Sequence, residues 1–391
     1  MIDYEKVIKR TNELLKPNKK NKTYYNGEEL AKHFTDPTYK YIFCFGGKAT
    51  GKTTWYLMFI TVINWFYKRP VVLMRRWDDA FKGSRPNQYF TSINNMGLIK
   101  DLTNNEWDGI TYFRKAFYFY KLNHDLEQIK ASEPFMYCRA LTTYENDNGT
   151  QIDNCAAILF DEFIPRGREL PDEVELYFKP CISSIKRRTD DTIIICCGNT
   201  INKFSTYFSA YGFDKAGEMP EGTIITYENE AGGHAAIERT SNIVSKEEND
   251  IYFNFGNNTR QTMINGSWEL AQYPRPFKYK PKDIVYKFYI KFYAYCFKCE
   301  IVIVDNQEII NIYPYKEEKI DFDKEIIYSN NYDTRANWRR NLLTRNDPLS
   351  KEIIKCFNLD LVRFSDNSTG NIIDAYLTWC TQNRGVKYDK Q

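Results

Sequence analysis

Eight consecutive residues, Gly46-Gly47-Lys48-Ala49-Thr50-Gly51-Lys52-Thr53, fit the pattern G-x-x-x-x-G-K-[ST]. Glycines let backbone N–H groups curl around phosphate oxygens, and a helix opening at the end of the loop adds its dipole. In such a loop Lys52 reaches the β- and γ-phosphates of a nucleotide, and the Thr53 hydroxyl turns to Mg²⁺. Gly46, Gly47, Lys48, Ala49, Thr50, Gly51, Lys52, Thr53 and Thr54 are therefore the candidate nucleotide-binding residues, with ATP and Mg²⁺ as the expected cofactors. Lys48 reaches the γ-phosphate, couples the loop to motion, or points to solvent.

A second constellation closes an apolar run, Ala156-Ala157-Ile158-Leu159-Phe160-Asp161-Glu162. Asp161, at the tip of a buried strand, is placed to organise the Mg²⁺ shell. Glu162 is placed to polarise a water against the γ-phosphate, which means hydrolysis rather than transfer to a second substrate. The alternative for Glu162 is a solvated strand-end acid. Thr192–Cys197 runs into Gly198-Asn199, so Asn199 is either a sensor touching water and γ-phosphate or an ordinary turn residue. Just before that strand lies Lys186-Arg187-Arg188. Arg187 or Arg188 either stabilises transition-state charge in a neighbouring subunit's site or belongs to a solvated basic face. Arg75-Arg76 is a weaker competitor for the first role.

These residues need a scaffold, and the chain has room for one. At 391 residues, two or three domains are expected. Hydrophobic residues at 42% and charged residues at 27% are ordinary for a globular protein, which excludes disordered and collagen-like classes. Lys+Arg 54 against Asp+Glu 51 leaves +3, so any nucleic-acid contact must come from local patches. The 16% aromatic content, beside abundant Ile, Asn and Lys, matches AT-rich codons and is read as mutational bias. No secretory leader is expected from the polar start, and the apolar run 55–67 is too short to span a bilayer, so no membrane partner is expected. The ten scattered cysteines read as buried reduced thiols, and Cys296-x-x-Cys299 lacks a second pair for a zinc site.

Periodicity predicts helices over 4–15 and 27–33, then a strand at 41–45, the phosphate loop, and a long apolar helix to about Lys68. Buried strands follow at 70–74, 156–160 and 192–197, with 110–121 and 135–141 as the arms of a β-hairpin. Strands apolar on both faces and separated by helices mean a mostly parallel sheet covered on both sides. Residues 1–227 form this α/β domain. A helical linker spans 228–270, since 235–268 is polar and helical in pattern. A second domain occupies 271–391, with strands at 285–297, 300–304 and 309–313 and helices near 350–357 and 371–380.

The basic residue inside the phosphate loop, the strand ending in Asp161-Glu162-Phe163 and the strand ending in Asn199 together resemble the DNA-encapsidation ATPases of small protein-primed podophages, relatives of the large terminases. The motifs cover roughly 45–200. The resemblance implies an ASCE-type P-loop domain followed by an RNase H-like, vestigial nuclease domain. It implies a homopentameric ring in the host cytoplasm that docks transiently on a capsid portal and drives double-stranded DNA inward. Whether a structural RNA is a further partner stays open, the C-terminal basic segment being able to contact DNA, the portal or such an RNA. Arg187 or Arg188 then falls near the family's trans-acting arginine. Departure from an active nuclease lies in 285–297, which holds Lys287 and Lys291 and no acid, so this domain is expected to bind nucleic acid without cutting it. Lys278, Lys280, Lys282, Arg335, Trp338, Arg339, Arg340 and Arg345 are its candidate contacts, or else a solvated surface. Rival readings are a replicative helicase or helicase loader and a non-catalytic, nucleotide-dependent assembly factor.

Overall fold

The computed structural model describes residues 2–16, 25–47, 50–143, 152–165, 169–170, 172–186, 189–199, 205–230, 232–241, 273–304 and 307–384. The chain divides into two units, Met1–Ile201 with Ala210–Trp268, and Asn202–Ser209 with Glu269–Gln391. In chain order the first unit carries β1 (Tyr39–Gly46), β2 (Val71–Arg75), β3 (Gly109–Phe113), β4 (Ala116–Leu122), β5 (Gln128–Lys130), β6 (Met136–Ala140), β7 (Ala157–Asp161), β8 (Ile193–Asn199), β9 (Thr223–Glu228) and β10 (His234–Arg239). Its helices are α1 (Tyr4–Leu14), α2 (Glu28–Ala31), α3 (Lys52–Tyr67), α4 (Gln88–Asn95), α5 (Leu98–Thr103) and α6 (Lys179–Lys186).

The strands form one sheet in the order β3-β4-β6-β2-β7-β8-β1-β10-β9, with β5 on β4. From β6 to β10 every neighbour is parallel. Insertion of β8 between β1 and β7 is the ASCE arrangement, so the expected fold class holds for this unit. Strands β2, β7 and β8 are buried along nearly their whole length, which is why they read as unbroken apolar runs. Helix α3 is buried continuously from Trp55 to Asn64, because it is apolar on every side.

Three expectations change. The segment 110–121 is itself a hairpin, turning at Arg114 (φ 48°) and Lys115 (φ 60°), and β6 then pairs antiparallel to β4. Two left-handed residues make a tight hairpin turn without the usual Asn-Gly signature. The linker's expected helical start is instead β10, whose Ala235, Ala236 and Ile237 are buried beside β1. Small apolar residues satisfy a strand edge as readily as a helix face, and the antiparallel partner β9 completes the pairing. The first unit thus runs on past 227, to Trp268, and residues 242–270 of the expected linker lie outside the described residues. Third, 285–297 is two strands that turn at Tyr293 (φ 52°).

The second unit carries β11 (Ile284–Phe292), β12 (Tyr295–Val304), β13 (Gln307–Pro314), β14 (Ile327–Ser329), β15 (Trp338–Arg340) and β16 (Val362–Phe364). Helix α7 (Pro348–Asn358) starts on an Asp347 cap with proline in its first turn, and α8 (Asn367–Gln382) starts on an Asp366 cap. The sheet order is β15-β14-β11-β12-β13-β16. Strands β11 to β13 are antiparallel, while β14 and β15 extend the β11 edge in parallel, the RNase H-like arrangement. One face packs Phe288, Ile290, Cys299, Ile310 and Ile312 with Ile353, Ile373 and Tyr376 of the helices. Alternation sends Lys287, Lys291, Lys298 and Glu300 to the other face. It also sends Cys296 and Cys299 to opposite faces of β12, so the two thiols do not converge. Among the described residues no helix is long and apolar enough to cross a membrane.

Candidate active site

The carboxyl ends of β1, β2, β7, β8 and β10 lie along one edge of the sheet, the edge at which parallel α/β sheets place ligands. Gly46 ends β1 opposite Asn199 of β8. The loop then runs through Thr50 and Gly51, whose φ of 95° is left-handed and natural only to glycine, into α3 at Lys52. Lys52 is 5% exposed. Its Nζ donates to the carbonyls of Gly46 (3.2 Å) and Gly47 (2.5 Å) and to Thr50 Oγ1 (3.2 Å). Burial lowers its pKa, with nearby Asp161 among the groups that counter the shift. Lys48 and Ala49 lie outside the described residues.

Gly46 is dictated by a close approach. A Cβ there would sit 1.8 Å from Thr240 Oγ1, at the end of β10. Gly46→Ala is therefore expected to lower stability by about 1–3 kcal/mol, as overpacking does. A fall in thermal midpoint, recovered in part by Thr240→Ala, checks this; an unchanged midpoint contradicts it.

Across the loop, Thr53 Oγ1 donates to Asp161 Oδ1 at 2.9 Å. Asp161 is buried, which raises its pKa, and the adjacent Arg75 guanidinium works against that rise. Arg75 Nη1 meets Asp161 Oδ2 at 2.5 Å, and Nη2 meets Glu162 Oε2 at 2.5 Å. Burial weakens the guanidinium's hold on its proton, but Asp161, Tyr89 and Glu162 more than offset it, and its pKa is raised. The Glu162 side chain is 47% exposed on a left-handed backbone, φ 59°. An open cleft of about 190 Å³ is lined by Thr50, Gly51, Lys52, Thr53, Thr54, Asp161, Glu162, Gly198 and Asn199.

The structure thus brings together the expected loop residues that are described, both strand-end acids and Asn199. Arg187 and Arg188 lie outside the described residues. Arg75 and Arg76 are both committed within the chain itself. Arg76 is buried and bonded to Glu173, while Arg75 bridges the two acids. Tyr25, which precedes the loop in sequence, does not line this cleft. It is buried between Trp55 and Tyr56, its N–H donates to Thr50 O at 2.9 Å, and its hydroxyl donates to Glu238 at 2.5 Å. Sequence reasoning missed what Arg75 and Arg76 do. The one available signal was two adjacent arginines at a strand end on the phosphate edge.

In the second unit, the candidate basic residues separate. Arg335 is paired with Asp333 at 2.6 Å, and Arg339 with Asp347 at 2.7 Å. Trp338 is buried, and Arg340 donates to Asn330 O at 3.0 Å. Lys278, Lys280, Lys282 and Arg345 are exposed. Asp374 accepts from Tyr273 at 2.5 Å on α8. Among the described residues there is no group of three or more His, Cys, Asp or Glu side chains able to hold a metal ion.

No family model matches the chain, and no curated protein matches it. Among solved structures the chain is similar to the Phi-28 gp11 DNA packaging motor, with a TM-score of 0.52 at 15% identity, covering 94% of this chain and 99% of that one. It is likewise similar to the bacteriophage Phi-29 viral genome packaging motor assembly, with a TM-score of 0.53 at 15% identity, covering 92% and 100%. At these identities the likeness establishes a shared fold, and that fold extends over both units.

Proposed function

We propose that the chain is the ATP-hydrolysing subunit of a motor that drives double-stranded viral DNA into a preformed capsid. The observation that carries this reading is the single cleft in which Lys52, the Thr53–Asp161 pair, Glu162 and Asn199 meet. Lys52, on a rigid helix start, neutralises β- and γ-phosphate charge. Thr53 and Asp161 offer two hard oxygens side by side, which fits Mg²⁺, and the metal supplies charge neutralisation on the phosphates. Glu162 accepts the proton of a water attacking the γ-phosphorus as the bond to the ADP oxygen breaks, and Asn199 holds that water. An arginine of the next subunit, Arg187 or Arg188, completes the charge stabilisation. The subunits form a homopentameric ring, assembled in the host cytoplasm and docked transiently on the capsid portal, directly or through a structural RNA.

The geometry adds one requirement. Glu162 cannot serve as base while Arg75 holds it, and Arg75 also competes with metal for Asp161. Arg75→Ala is expected to lower the Mg²⁺ concentration needed for half-maximal turnover. An unchanged requirement would show that Arg75 and the metal do not compete for Asp161.

In this reading the second unit binds DNA without cutting it, through Lys278, Lys280 and Lys282 rather than the internally paired Arg335 and Arg339. Replacing the three lysines by alanine is expected to weaken binding equally across sequences. The dependence of log affinity on log salt should become shallower by about 0.9 for each phosphate that is no longer neutralised. An unaltered slope removes these lysines from the interface. The deciding experiment for the function is steady-state ATP hydrolysis with and without double-stranded DNA. Stimulation by duplex supports the motor, unwinding of a forked substrate supports a helicase, and tight binding without turnover supports an assembly factor.

A further inference from the structure

We infer that the buried ion pair Arg76–Glu173 is a positioning device that sets the backbone of Glu162 for its attack geometry, an inference that rests on Glu162 being the base of an ATPase. Arg76 follows Arg75 at the end of β2, and the two side chains divide the work. Arg75 grips carboxylates, while Arg76 grips backbone. Arg76 is 4% exposed and Glu173 0%. They form a two-pronged pair, Nε to Oε2 at 2.6 Å and Nη2 to Oε1 at 2.7 Å. The guanidinium also donates through Nη1 to the Glu162 carbonyl at 3.1 Å and through Nη2 to the Phe163 carbonyl at 2.7 Å. Glu173 Oε2 accepts from the Leu170 N–H at 2.8 Å, so the pair also ties down the approach to Glu173.

The need for such a clamp is visible in Glu162 itself. Its left-handed φ of 59° disfavours any residue with a Cβ, and such a conformation persists only where the surroundings over-determine it. Two carbonyls held by Arg76 and the Phe163 N–H donated to Cys197 O at 3.1 Å fix the peptides after Glu162 against β8. The result is a carboxylate projecting into the cleft beside Asp161. Burying a charged pair is a poor route to stability, since an apolar pair of similar volume is often as good. Only a guanidinium offers enough donors in one plane to hold a carboxylate and two carbonyls together.

The pair is tested by removing both charges at once, Arg76→Met with Glu173→Leu, which leaves no uncompensated buried ion. Arg76→Lys in the full-length chain is the second variant, keeping the charge and losing the fork. For each variant kcat, the Kd of a fluorescent ATP analogue and the thermal midpoint are measured beside wild type and Glu162→Gln. The expected result is a kcat reduced 10- to 100-fold with Kd within about 2-fold of wild type. A kcat within 2-fold of wild type in either folded variant overturns the inference and leaves the pair a structural brace. Wild type without turnover overturns the ATPase reading and the inference with it, whereas Glu162→Gln with full turnover removes Glu162 as the base and with it only the inference.

Discussion

Exchange of Glu162 for glutamine is expected to cut ATP turnover by roughly 10²–10⁴-fold, the usual contribution of a positioned general base. Nucleotide affinity should be retained, because the residues that hold phosphate and metal in this reading, Lys52, Thr53 and Asp161, are untouched. The amide keeps the size of the side chain, and its carbonyl oxygen still accepts from Arg75, so the fold has no reason to change. What is lost is the capacity to take a proton from water. Single-turnover hydrolysis and nucleotide binding, measured on the same preparation, separate the two properties. Wild-type turnover in this variant would remove Glu162 from the chemistry and return it to the status of a strand-end acid.

Lys52→Ala should act differently, on binding and turnover together. Its ammonium sits within 3.2 Å of Gly46 O, Gly47 O and Thr50 Oγ1, so it is part of the loop's own architecture as well as the phosphate's partner. Removing it takes one donor from each of two loop carbonyls and, in this reading, one cation from the phosphates. Loss of one pre-organised donor costs about 10²–10³ in turnover, and weakened nucleotide affinity adds to that at low ATP. Equilibrium binding of a fluorescent ATP analogue, followed by turnover at saturating nucleotide, resolves the two effects. Unimpaired binding would show that the loop cradles phosphate through its backbone alone.

The residues that gather in this cleft were readable because its parts are short and local. A phosphate loop needs only glycines, a lysine and a hydroxyl in eight residues at a strand–helix junction. An apolar strand announces the acids at its own tip. The same locality explains the correct placing of β1, α3, β2, β7 and β8, whose two-sided burial leaves unbroken apolar runs. Where a segment's character depends on its neighbours, the reading failed. Ala235, Ala236 and Ile237 become a strand because β1 and β9 lie on either side of them. The turns at Arg114–Lys115 and Tyr293 carry no glycine or asparagine to betray them.

The sequence by itself thus determined which loop residues and strand-end acids meet in the cleft that we propose hydrolyses ATP. Tertiary structure alone decided which side chains surround and hold those residues. Arg75 meets Asp161 from 86 residues away, and Arg76 meets Glu173 from 97 residues away. No spacing rule links such positions, and it is the adjacency of β2 and β7 in the sheet that sets Arg75 beside Asp161. An arginine in sequence is a charge without an address. Its partner is chosen by the fold, because a buried guanidinium must find acceptors wherever the packing of distant strands has placed them.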